Sequence, residues 1–160
     1  MNSFNRILSK IEQYSCAILL LFITALLFVN VVLRHMGLAL DWVEEFSRYG
    51  IIWITFVGSS ICIYKGAHIG VDAITTILRD KGKNILSLIT VIISIIFTLL
   101  LTIKSFYITK VVFETGQVSS TLEVPMVYIY GAMPVGGVLM LLRFIQQFFI
   151  SVRTLKRGEY

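Results

Sequence analysis

His68 and Asp72 stand four residues apart, the spacing that brings two side chains onto one helix face. A carboxylate beside an imidazole can orient it for proton transfer. Catalysis would need more than this pair, and neither a companion nucleophile nor a second histidine lies close in the chain. A zinc-type centre needs three or four ligands, which His35, His68 and their neighbours do not supply. Cys16 and Cys62 fall inside apolar runs, where a free cysteine behaves as a small hydrophobe. His68 and Asp72 are therefore read as a local hydrogen bond that fixes a turn, and no catalytic role, metal or cofactor is expected.

A second polar group reads Asp41, Trp42, Glu44, Glu45, Arg48, Tyr49 and Trp53. Asp41 is placed as an N-cap, with Glu44 completing a capping box, and acids in a first turn suit the helix dipole. Arg48 follows Glu44 by four residues and Glu45 by three, so either can pair with it. Tyr49 and Trp53 share a face one turn deeper, while Trp42 and Tyr49 sit where an aromatic belt would lie. One reading is a capped helix end with interfacial anchors. The other is a contact surface for a second membrane subunit, because charges at the membrane edge are costly against lipid and favourable when paired across an interface.

The elements that must position these residues follow from composition. Of 160 residues 57% are apolar and 14% charged, with mean hydropathy +0.86; a soluble domain carries about 25% charged residues. A small soluble fold leaves too much surface exposed to hide this much apolar material. Disorder, coiled coil and a disulfide scaffold are excluded on the same grounds. The chain reads as an all-α integral membrane protein, a single domain with four spans at about 13–33, 46–64, 84–106 and 124–145. A helix needs about 20 residues to cross the hydrocarbon, and the second span reaches this by letting Arg48 snorkel to the headgroups. The first span is too long for a signal peptide and no small-residue cleavage site follows it, so it is expected to stay.

Charge sets the expected orientation. Arg6, Lys10, Lys65, Arg79, Lys81, Lys83, Arg143, Arg153, Lys156 and Arg157 fall on one side, against Arg34, Arg48, Lys104 and Lys110 on the other. Both termini are thus expected in the cytoplasm. Residues 67–79 place Val71, Ile74 and Leu78 at helical spacing, which predicts a short helix lying in the cytoplasmic interface. The third helix is expected to run on through Lys104 to about Glu114, roughly 45 Å long, and to stop at Gly116. Residues 116–125 form a polar outer connection. Pro125 near the start of the last helix loses no hydrogen bond, whereas Pro134 inside it is expected to kink it. Gly131, Gly136 and Gly137 would admit a neighbouring backbone, either within the chain or from a partner.

No Asp, Glu, Lys, Arg or His lies in the middle of any uncharged run, although ion-coupled carriers usually hold such groups near the midplane. Asn30 lies toward the outer end of the first span. Thr24, Ser59, Ser60, Thr90, Ser94 and Thr98 are the deepest polar residues and read as helix–helix glue. Alone, the chain has little with which to bind and release a charged solute.

Taken together, these residues resemble a known family. Val31, Val32, Leu33 and Arg34, then Trp42, Glu44, Glu45, Arg48, Tyr49, Trp53, Phe56 and Gly58, match the start of the small membrane subunit (DctQ-like) of tripartite ATP-independent periplasmic, or TRAP, transporters. The likeness continues through Gly66, Ala67, His68, Ile69, Val71 and Asp72, then Gly116, Gln117, Ser119, Leu122, Pro125, Tyr130, Pro134, Gly136 and Arg143. It departs at His35, where an aromatic often follows the arginine. The resemblance implies a four-span subunit of a bacterial inner membrane with both termini cytoplasmic. It also implies two protein partners, a large membrane subunit that carries sodium and substrate and a periplasmic substrate-binding protein that delivers an organic acid: a dicarboxylate, keto acid or sialic acid. The small subunit would be a scaffold against which the large one moves. Glu44, Glu45, Arg48 and Trp53 would hold the outer end of the second span, Pro134 and Gly136 would shape the fourth, and 114–125 would lie near the binding protein. The phospholipid bilayer is its solvent, and no nucleic-acid partner is expected. Two rivals are weaker. A small multidrug-type carrier working as a homodimer would need a membrane-embedded carboxylate, and a haem protein would need paired axial histidines within the spans.

Overall fold

The computed structural model describes residues 3–64 and 80–157. Within them the chain is helical: α1 (Ser3–His35), α2 (Asp41–Tyr64), α3 (Asp80–Thr115), the short α4 (Val127–Tyr130) and α5 (Ala132–Arg157). The described residues hold no β-strand, only an isolated bridge between Val118 and Pro125. Four stretches are long and apolar enough to cross a membrane: Ser9–His35, Asp41–Ile63, Leu86–Thr115 and Val127–Arg153. The interfacial helix expected at 67–79, with His68 and Asp72, lies outside the described residues.

Each helix outruns its uncharged stretch, because a helix continues through charged residues until a terminator stops it. For α1 the terminator is Gly37, at φ 79°. Leu38 N–H donates to Leu33 C=O (2.9 Å) and Gly37 N–H to Arg34 C=O (3.1 Å), the paired bonds of a left-handed helix cap. The 36 residues of α3 make about 54 Å of helix at 1.5 Å per residue. That exceeds the roughly 30 Å of hydrocarbon, so α3 must tilt or project.

The four long helices stand in a row, α1 beside α2, α2 beside α5 and α5 beside α3. Among the described residues neither α1 and α3 nor α2 and α3 make a backbone contact, so these helices form an open row and not a closed bundle. Water would penalise the exposed Leu21, Phe28, Phe97 and Tyr107, whereas lipid tails are as apolar as leucine and do not. Each outer helix of the row meets its neighbour along one narrow stripe. On α1 the buried positions are Ser9, Glu12, Ile23 and Asn30; on α3 they are Val91, Thr98, Thr102, Ser105 and Val112. Steps of three, four and their sums keep such residues in line along a helix.

Glycines let α5 sit between two neighbours. A Cβ on Gly136 would lie 2.6 Å from Phe56 Cβ on α2, and one on Gly137 would lie 2.5 Å from Thr102 Oγ1 on α3. A side chain at either position would force its neighbour to shift. Of the deep hydroxyls, Thr24 donates to Leu20 C=O, Ser59 to Thr55 C=O and Thr90 to Leu86 C=O, as do Thr55 to Ile51 C=O and Thr102 to Thr98 C=O. These bonds stay within one helix, since a hydroxyl in hydrocarbon takes the carbonyl one turn back, while Ser60 and Thr98 are buried.

Pro134 interrupts the last span as expected of an interior proline: α4 ends at Tyr130 and α5 begins at Ala132, while Gly131 between them keeps helical angles (φ −59°, ψ −23°). The break thus falls one turn before the proline, whose missing N–H leaves a carbonyl there without its donor. The carbonyl four residues before a proline loses its usual donor. Here that carbonyl, Tyr130 C=O, lies 3.3 Å from the Thr109 hydroxyl of α3, whose shorter bond is donated to Ser105 C=O at 2.8 Å.

Candidate functional site

The polar side chains gather at the two ends of the row. At one end, called here the hairpin end, α1 turns into α2 and α3 leads into α4. Asn30, buried on α1, accepts Leu40 N–H on its side-chain oxygen at 2.9 Å. Arg34 forms an ion pair with Glu44, and both side chains stay exposed (57% and 51%). Glu45 reaches a different part of the chain. Its Oε2 accepts the backbone N–H groups of Thr121 and Leu122, each at 2.9 Å, and its Oε1 accepts the Tyr49 hydroxyl. Tyr49 in turn lies 3.7 Å from Met126 Sδ.

The connection that Glu45 grips is ordered by its own bonds. Ser119 N–H donates to Val124 C=O (3.0 Å) and Met126 N–H to Gln117 C=O (2.8 Å), which flank the Val118–Pro125 bridge. The buried Ser119 hydroxyl accepts Val124 N–H at 3.3 Å. Glu123 takes a left-handed φ of 53° in the turn, an uncommon conformation for a side-chain-bearing residue. The structure thus brings Glu45, Tyr49, Gln117, Ser119 and Pro125 together, though they are dispersed in sequence.

The other assigned residues are more scattered. Neither acid takes Arg48 as its partner, because Arg34 and the 121–122 backbone occupy Glu44 and Glu45. The Glu44 carboxylate is thereby committed to Arg34, not to a capping box. Trp42 is exposed. Trp53 lines a crevice against α1 with Cys16 and Leu19. Gly58 lines a trough of about 680 Å³ between α2 and α3, with α5 at its floor. The trough is lined mostly by apolar side chains, with Thr55, Ser59, Ser94 and Thr98 among them; the Thr55 and Ser59 hydroxyls donate to their own helix.

At the opposite, terminal end lies a pair that the sequence did not indicate. Arg143 of α5 donates from Nη2 to Glu12 Oε2 of α1 at 3.2 Å, with side-chain exposures of 3% and 6%. Beside it Gln13 donates to the buried Ser9 hydroxyl at 2.9 Å. Arg143 reads from sequence as one of the lysines and arginines at the membrane edge; in the structure it is buried. Glu12 precedes the uncharged run of the first span, yet the apolar helix begins at Ser9. One signal does exist in the sequence. Glu12 shares the buried stripe of α1 with Ser9, Ile23 and Asn30, an inward position where an acid requires a partner. That partner is 131 residues away, beyond the reach of any local pattern.

Among the described residues, no group of three His, Cys, Asp or Glu side chains could hold a metal ion. What the arrangement offers is mechanical: two pinned ends, an ordered 116–126 turn, and broad apolar faces.

Comparison with known proteins gives these features a context. The family model of the DctQ component of tripartite ATP-independent periplasmic transporters matches residues 23–154. A putative TRAP transporter small permease protein of Haemophilus influenzae is 32% identical over 91 residues, 56% of this chain and 56% of that protein. The C4-dicarboxylate TRAP transporter small permease protein of Rhodobacter capsulatus is 26% identical over 118 residues, 74% of this chain and 52% of that one. The chain thus spans about half the length of these two relatives. The sialic acid TRAP transporter permease protein SiaT of Haemophilus influenzae is 22% identical over 148 residues, 92% of this chain but 24% of that protein.

Proposed function

The chain belongs to the DctQ component family of the tripartite ATP-independent periplasmic transporters, and from that premise we propose that it is a non-catalytic scaffold for a large transport subunit. In this reading it sits in a bacterial inner membrane with both termini in the cytoplasm, as the distribution of lysine and arginine favours. It braces a sodium-coupled partner that imports an organic acid delivered by a periplasmic binding protein. The C4-dicarboxylate and sialic acid named for its relatives define the substrate class to try first. The match to a stretch of the longer SiaT permease is what a small subunit joined to a large one would produce.

One observation carries the proposal. The open row exposes long apolar faces, and its acids Glu12, Glu44 and Glu45 are committed to structural partners within the fold. A carrier must bind and release its solute, and a group already bonded within the fold is poorly suited to that. A brace needs a rigid shape and a face to present, and these are what the two pinned ends supply. The exposed surface of the ordered 116–126 turn is then placed at the periplasmic side, where the binding protein would approach.

The test is reconstitution. Proteoliposomes holding this chain alone should accumulate no organic acid under an inward Na⁺ gradient, while the chain with its large subunit and binding protein should. Uptake by the chain alone would overturn the scaffold reading and favour the homodimeric carrier. Failure of the large subunit to co-purify with the wild-type chain would equally count against it.

A further inference from the structure

The row is held together unevenly at α1. Along its middle, α1 packs closely on α2, where a Cβ on Gly50 would lie 2.4 Å from Ile23 Cδ1. At the hairpin end it is pinned by the Arg34–Glu44 pair and the Asn30–Leu40 hydrogen bond. At the terminal end the backbones of α1 and α5 do not approach, and the Arg143 side chain crosses the gap to Glu12.

A buried ion pair adds little net stability over well-packed apolar residues of similar size, while removal of one partner strands a buried charge. The pair here is not arranged for maximal stability, since Glu12 Oε1 is buried without a hydrogen-bond partner among the described residues. What a directional, buried contact between two otherwise separate helices does provide is register: apolar surfaces tolerate sliding and rotation, whereas one guanidinium and one carboxylate meet in few ways. We propose that Glu12 and Arg143 are positioning residues that fix the rotation and depth of α1 against α5, so that the row presents one defined face at this end. That the face receives a large subunit rests on the scaffold reading; the register belongs to the isolated chain and is tested there.

The experiment uses the full chain in lipid nanodiscs, with Cys16→Ala and Cys62→Ala as background. Nitroxide labels at the exposed positions Ile7→Cys and Phe149→Cys report the α1–α5 distance by pulsed electron resonance. A control pair at Ile103→Cys and Val138→Cys reports the α3–α5 seam. The wild-type pair should give a single narrow distance. Arg143→Met alone should reduce the folded fraction several-fold, because it strands Glu12. The double variant Glu12→Met with Arg143→Met is the deciding case. It should keep the wild-type thermal midpoint while its α1–α5 distribution broadens at least twofold and the control stays unchanged. A double variant as narrow as wild type would overturn the proposal. So would loss of its folded fraction, which would make the pair a determinant of stability and not of register. Neither result depends on the large subunit, so failure here and failure of the scaffold reading are separately visible.

Discussion

The two ends of the helix row solve the same problem, placing charge at a membrane edge, in opposite ways. At the hairpin end Arg34 and Glu44 meet in the open, and Glu45 uses its charge to hold two backbone N–H groups of a neighbouring turn. At the terminal end Glu12 and Arg143 meet under cover. Exposed pairs gain little, because water and salt already satisfy both partners. Buried pairs are stringent, because neither partner has an alternative. The hairpin end, whose ion pair lies in the open, is therefore the more forgiving, and the terminal end, whose pair is covered, is the one where a single change matters most.

This contrast sets the order of expected effects. Arg143→Ala should be the most damaging single change, costing about 3–5 kcal/mol through the stranded Glu12 carboxylate; the folded yield and thermal midpoint of the purified chain report it. Next comes crowding at the α2–α5 crossing. Gly136→Leu should cost about 1–3 kcal/mol as Phe56 is forced aside, seen as a lowered thermal midpoint at unchanged helix content. Glu45→Ala should leave global stability nearly untouched while the amides of Thr121 and Leu122 exchange hydrogen faster, as read by mass spectrometry. Unchanged exchange there would remove Glu45 from its place as anchor of the 116–126 turn. Arg34→Ala should be the mildest, below about 1 kcal/mol, and its small effect should shrink further in high salt. If Arg34→Ala proved as harmful as Arg143→Ala, the distinction between the two ends would fail.

The helices themselves were legible because their cause is local. Uncharged runs of about span length, bounded by Gly37 and Gly116, leave the backbone few options in lipid other than helix. The likeness running from Arg34 to Arg143 was legible for a similar reason, since residue types in order survive without coordinates. The pairing of charges was only partly legible. Glu44, Glu45 and Arg48 lie within helical reach of one another, and spacing alone favoured Arg48 as the partner. The structure gives Glu44 to Arg34 across the hairpin and Glu45 to the 121–122 backbone, because tertiary neighbours outcompete partners on the same helix. Pro134 was legible as an interruption of the last helix, because a missing N–H acts locally; that the carbonyl it frees lies beside Thr109 of another helix was not.

The sequence by itself determined that this protein lives in a membrane, that it is helical, and roughly where its helices run, since those outcomes follow from hydrophobicity and backbone hydrogen bonding acting over a few turns. Only the tertiary structure decided that the helices stand in an open row, that Gly136 and Gly137 face different neighbours, and that Arg143 is buried on Glu12. Lipid rewards every apolar face equally, so hydropathy cannot choose which helices touch. That choice falls to close fit at glycine and to buried charge, and both depend on residues far apart along the chain.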